Sequence, residues 1–305
     1  MTDAPAAGAL RVRAVLVGIQ ALFGFNYLAS KHVVGAVDPA AWAALRAVLA
    51  LSILAVLTRL GGHRLPRGRD FWYLGGCALF GVTFNQILFL EGLSRTTPAH
   101  SSLICSQIPL FTLVGAVLLR QERLTGAKLA GLVLGMSGVA VLLEVDRMTL
   151  DARYLAGDLL TLANATSYGL YLALTGRVMR RQDPLGATTV VFGFGTLGIL
   201  IYGGPELARA PLAALELPTV AAMAYAILGA TVATYYLNLW ALRHTHASRV
   251  ALYVFLQPVV ATTLSVILLQ EPVTWRLLTA GALVLAGLTL RESPRRGRPE
   301  MPPQK

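Results

Sequence analysis

The chain has 305 residues, of which 55% are apolar and 13% charged, with a mean hydropathy of +0.63. A soluble domain carries roughly 25% charged residues, so this composition excludes a chain solvated by water on all sides and points to lipid. The formal charge of +11 does not signal nucleic acid, because the basic residues come in small groups between apolar runs and form no continuous face.

From the amino end, residues 1–12 read as a cytoplasmic tail, Ala-rich over Met1–Leu10 with Arg11 and Arg13 following, and no cleavable signal peptide is expected. Crossing ~30 Å of hydrocarbon takes about 20 apolar residues. Ten segments qualify: 13–35, 40–60, 71–93, 97–119, 124–144, 155–177, 185–203, 219–241, 246–269 and 273–291. Turn-like pairs separate several of them: Asp38-Pro39, Gly61-Gly62, Asp183-Pro184 and Gly203-Gly204-Pro205. The stretch from Gly203 to Pro218 is expected to hold a short surface helix. Residues 293–305 are rich in Pro and Arg and are expected to be disordered.

The segment Leu88 to Gly138 recurs at an offset of 149 as Leu237 to Gly287. Its matches include Leu93/Leu242, Thr96/Thr245, Pro109/Pro258, Gln121/Gln270, Glu122/Glu271, Thr125/Thr274 and Gly138/Gly287. At an offset of 145, Gly24 falls on Gly169 and Asp38-Pro39 on Asp183-Pro184. The chain thus reads as two units, 13–150 and 151–292, of five spans each. An odd number of spans puts the second unit upside down. Alternating the spans places 19 Lys and Arg on the side of the termini and six on the other, with Arg46 inside a span. That bias predicts cytoplasmic amino and carboxyl ends. The fold class is therefore an all-α integral membrane protein, ten transmembrane helices in two inverted five-helix repeats. This architecture lets a central site open to either face.

The chain resembles the EamA-type transporters of the drug/metabolite transporter superfamily. The resemblance rests on Leu22-Phe23-Gly24-Phe25-Asn26 and Arg46, on Gly92-Leu93 with Thr96 to Ser101 leading to Pro109 and Glu122, and on Ala241-Leu242 with Thr245 to Arg249 leading to Pro258 and Glu271. Phe23 stands where the family commonly has Trp, and Pro98 where it has a small residue. The resemblance implies export of amino acids, related metabolites or drugs across a bacterial inner membrane, with exchange for protons as a coupling route. A passive facilitator or channel and a non-transporting membrane protein are the alternatives, with a membrane-embedded enzyme behind them. Its partners are a small-molecule substrate and the bilayer, and monomer and homodimer are both compatible.

Polar side chains inside spans are costly in lipid and face protein or a wet cavity. The sixth span carries Asn164, Tyr168, Tyr171 and Thr175 at spacings of four, three and four, on one helix face. That stripe suits the lining of a site for a small amphipathic molecule, or a helix contact. Asn26, Asn85, Gln86, Gln107, Tyr235, Asn238, Tyr253 and Gln257 are the further pathway candidates near mid-span. Arg46 lies roughly 10 Å below the outer surface at 1.5 Å per residue. Glu91, the one acid well inside a span, sits at similar depth, and the two are expected to approach. Glu91 then reads either as Arg46's partner or as a coupling site.

Pro109 and Pro258 each remove a donor and crowd the carbonyls of Cys105 and Val254, so both are expected to kink or break a helix beside the pathway. Trp42, Trp72, Tyr73 and Trp275 read as interfacial anchors, His100 as an interfacial residue, and Cys77 and Cys105 as buried thiols. No nucleotide-binding loop, metal cluster or nucleophile motif is present, so neither an enzyme nor a cofactor is indicated.

Overall fold

The computed structural model describes residues 4–142, 152–212, 215–260, 263 and 275–290. Glu271 and the 293–305 tail lie outside them. The described residues are helical, with no strand among them. Helix α1 is Ala4–Ala36, so helix already occupies most of the stretch expected as a tail. Helix α2 (Pro39–Leu60) opens on Asp38, whose carboxylate accepts the Ala40 and Ala41 amides at 2.9 and 3.1 Å. Pro39 follows in the first turn, where its missing N–H costs nothing. Helix α3 (Arg69–Ala78) passes through a π-helical turn, Leu79–Thr83, into α4 (Phe84–Arg95). Then come α5 (Pro98–Cys105), α6 (Ile108–Leu118), α7 (Gly126–Leu142), α8 (Ala152–Met179) and α9 (Pro184–Arg209). Helix α10 (Leu217–Ile227) runs through a second π-helical turn, Leu228–Ala233, into α11 (Thr234–His244). Helix α12 (Ala247–Leu252) continues through a 3-10 turn, Tyr253–Phe255, into helical residues 256–260, and α13 is Trp275–Thr289.

Backbone irregularities recur at the sequence offset. The π-turns start at Leu79 and Leu228, 149 residues apart. The helices that follow them end on Thr96 and Thr245, both extended. The caps Asp38 and Asp183 stand 145 apart, and the Asp183 carboxylate accepts the Gly186 amide at 2.9 Å.

Small residues set the closest helix contacts. Helices α2 and α9 run antiparallel: Gly203 meets the Ala40 carbonyl, Thr196 donates to Ala47 O at 3.3 Å, and the Thr189 and Thr58 hydroxyls lie 2.7 Å apart. Helices α7 and α13 are also antiparallel. A Cβ on Gly287 would lie 2.8 Å from the Gly131 carbonyl, and one on Gly138 would lie 3.0 Å from the Ala280 carbonyl. Helices α4 and α6 pack on α8, and α1 packs on α10 and α11. Among the described residues six helices are long and apolar enough to cross a membrane, joined by shorter apolar helices over Gly126–Leu142, Ala247–Val260 and Trp275–Thr289. Large apolar side chains such as Leu60, Leu118, Ile201 and Leu217 point outward.

Two sequence expectations are corrected. The Gly203-Gly204-Pro205 stretch is not a turn, because α9 continues through it to Arg209. Pro205 sits near the helix end, where the loss of one hydrogen bond is tolerated. Trp42 is no interfacial anchor. It is fully buried with its indole N–H unpartnered, whereas Trp72 and Trp275 are exposed. At Pro109 the segment is broken rather than bent. The chain breaks at Ser106 and Gln107, and Pro109 occupies the first turn of α6, a position that needs no N–H.

Candidate functional site

Helices α1, α2, α4, α8 and α11 converge on a cavity of about 60 Å³. Phe23, Asn26 and Tyr27 reach it from α1, Arg46 from α2, Asn85, Gln86 and Phe89 from α4, and Asn164 and Tyr168 from α8. Tyr235 comes from α11 and Ala230 from the second π-turn, while Cys105, Ile108 and Gln257 come from the two breaks in the later helices. The π-turns supply two of the site's backbone acceptors, a frequent use of such irregularities. The Gly81 carbonyl in the first π-turn lies 2.6 Å from the Tyr235 hydroxyl, which is also 2.9 Å from Asn85 Oδ1. The Ala230 carbonyl in the second lies 3.4 Å from Arg46 Nη2, and Arg46 Nε donates to Thr231 Oγ1 at 2.5 Å. Thr231 can accept because its own proton goes to the Ala226 carbonyl at 2.7 Å.

Around these anchors the wall is amide and phenol. Asn164 Nδ2 donates to the Asn85 carbonyl at 2.7 Å. Gln257 bridges two points on α1 seven residues apart, donating to Gln20 Oε1 at 2.8 Å and accepting from the Tyr27 hydroxyl at 3.1 Å. Tyr168, Tyr171 and Tyr235 form an aromatic cluster with centroids 5.8–6.4 Å apart, and Phe192 packs edge-on against Tyr235 at 4.9 Å. Two lining groups remain unpaired. The Tyr168 hydroxyl makes no hydrogen bond, nor does the Gln86 carboxamide, although it adjoins the Tyr235 hydroxyl. No Asp, Glu or His is among the lining residues.

Eight of the twelve sequence-selected pathway residues thus meet in the cavity: Asn26, Arg46, Asn85, Gln86, Asn164, Tyr168, Tyr235 and Gln257. The other four lie elsewhere. Tyr171 is buried behind Tyr168, Asn238 donates to its own helix at Thr234 O, Gln107 caps α6, and Tyr253 sits in the 3-10 turn. Glu91 and Arg46 do not approach each other, which corrects the expected pair. Glu91 is bound by Arg95 one turn along the same helix and by the Tyr202 hydroxyl at 2.8 Å. Equal depth says nothing about which side of a helix a residue faces, and an acid four residues before a base is the favourable local pairing. His100 is held at 3.0 Å from Asp158. Sequence reading missed Phe23, Tyr27, Phe89, Cys105, Ile108 and Ala230. Apolar residues carry no lining signal of their own, but Tyr27 and Phe23 flank Asn26 at the spacing that shares its helix face or borders it.

A family model for EamA-like transporters matches residues 13–144 and matches again over 155–291. The chain belongs to the EamA-like transporter family. It is a multi-pass membrane protein and a transporter, not an enzyme. Among its relatives, a Streptantibioticus cattleyicolor protein named a probable terminal-alkyne amino-acid exporter is 28% identical over 80% of this chain and 81% of its own length. A Salmonella typhimurium protein named a probable amino-acid metabolite efflux pump is 28% identical over 68% of this chain and 72% of its own. A solved structure of 22% identity superposes with a TM-score of 0.74 over 91% of this chain and 96% of that one, and shares the fold.

Proposed function

We propose that this EamA-like transporter is a secondary exporter of amino acids or related small metabolites, working by alternating access across a bacterial inner membrane. Ten spans form two inverted halves with both termini cytoplasmic. The antiparallel packing of α2 on α9 and of α7 on α13, each helix beside its own repeat equivalent, supports opposed halves. The 19-to-six distribution of Lys and Arg supports the orientation. The observation that carries the reading is the cavity, lined from both halves and placed at the two recurrent π-turns. The names of the two bacterial relatives favour an amino-acid-like cargo.

Proton coupling through Glu91 has no support in the cavity, because that carboxylate is engaged elsewhere by Arg95 and Tyr202. Transport without protons, as exchange or facilitated movement, is therefore the second reading. Proteoliposomes with an internal pH dye, offered amino acids, nucleobases, polyamines and cationic drugs, test both readings. Accumulation of an amino-acid-like compound against its gradient is expected, with Glu91→Gln within twofold of the parent. Movement of none of the panel contradicts the exporter reading. Loss of proton movement in Glu91→Gln restores a coupling role to that residue.

A further inference from the structure

We infer that the cavity selects small molecules bearing a carboxylate, and that Arg46 is the residue that receives this group. The inference rests on the transporter reading and adds the charge class of the cargo. Arg46 is 4% exposed, lines the cavity, and has no carboxylate within ion-pair distance among the described residues. Two partly buried lysines, by contrast, have found partners. Lys128 is 2.9 Å from Glu122, and Lys31 caps α4 through the Leu93 and Thr96 carbonyls at 2.6 and 2.7 Å. Arg46 is left with neutral ligands, one hydroxyl and one carbonyl, and a guanidinium has five N–H donors. Among the described residues its Nη1 finds no hydrogen-bond partner. A buried cation without a counter-ion is expensive and is kept where an anion completes it.

The rest of the wall points the same way. Every other lining residue is neutral, so the interior carries the positive charge of Arg46 uncompensated and repels amines that lack an acid. A planar guanidinium presents paired donors that match both oxygens of a carboxylate. The unpaired Tyr168 hydroxyl and Gln86 carboxamide can bind a second polar group, such as an amine or amide. Phe23, Phe89 and Tyr235 offer an apolar and aromatic seat for the remainder.

Two matched triads test this on protein in nanodiscs: phenylalanine, 3-phenylpropionate and phenethylamine, then leucine, 4-methylpentanoate and isoamylamine. Direct binding is followed for each. In at least one triad both acids should bind at least tenfold more tightly than the amine. Arg46→Gln should weaken the acids at least tenfold, whereas Arg46→Lys, which keeps the charge without the fork, should recover part of the loss. Should Arg46→Gln not fold, the selectivity of the parent protein decides alone. Amines that bind as tightly as acids, or acids that do not bind in either triad, overturn the inference. If cationic compounds are nevertheless transported in proteoliposomes, the exporter reading stands without it.

Discussion

The hydroxyls of Tyr168 and Tyr171 are both buried without a partner, yet only Tyr168 borders the cavity. An unpaired buried polar group costs about 1–3 kcal/mol. Tyr171→Phe is therefore expected to leave transport unchanged and to be neutral or stabilising by about 1 kcal/mol, read by thermal melting. Tyr168→Phe should have a similar melting effect but raise the transport KM several-fold, because the lost hydroxyl faces the cargo. Equal KM values for the two variants would remove Tyr168 from the site. At this scale the sequence was informative about polarity and silent about direction. The stripe from Asn164 to Tyr171 was legible from its spacing. The Glu91–Arg95 pair was also legible at i, i+4, whereas equal depth with Arg46 carries no information about contact.

Close approach of helices is the element-scale determinant, and α13 offers an internal control. Gly287 touches the Gly131 backbone, whereas a Cβ on Gly281 would meet nothing within 4 Å. Gly287→Ala should cost about 1–3 kcal/mol as the helices are forced apart, with a lower melting temperature, and Gly281→Ala should not. A second element-scale contact joins the turn after α6 to the start of α12. The Glu122 carboxylate accepts from the Ser248 amide at 3.1 Å and from the Ser248 hydroxyl, with Lys128 alongside. Burial pushes this carboxyl up, but the bonds from Ser248 and Lys128 outweigh it and hold it below its ordinary value of 4.5. A depressed folded value means that the unfolded chain binds the proton first. The contribution is thus full above about 4.5 and lost as pH falls through the lower folded value. Melting between pH 7 and pH 3 should show a smaller acid-induced drop in Glu122→Gln than in the parent. The order and limits of most helices were legible from apolar run length. The continuity through Pro205 was not, because a Gly-Gly-Pro run has the composition of a turn whether or not the helix stops there.

Across the whole molecule, polar ties join the first and second halves at both ends of the bundle. At one end Arg181 grips Asp70 with bonds of 2.6 and 2.9 Å, His63 lies 3.0 Å from Asp183, and Glu122 holds Ser248. Toward the other, Thr96 donates to Asp158 at 2.5 Å and Tyr202 to Glu91 at 2.8 Å. Opening to either face requires one set to release while the other holds, so weakening one end should bias the resting conformation. Asp70→Asn is expected to favour opening at the end that carries Arg181, read as faster protease or thiol-reagent access from that face. The repeat made opposed halves legible, whereas these ties, made between residues about 60 to 130 positions apart, carry no local signature.

Access from two sides to one site is the central claim, and Cys105 reports on it directly. The chain has two cysteines, and of these Cys105 lines the cavity. In a Cys77→Ser background, an impermeant thiol reagent would be applied to sealed right-side-out and inside-out vesicles. The account predicts labelling of Cys105 from either face, slowed from both by a transported carboxylate. Labelling from one face alone, or from neither, would contradict it.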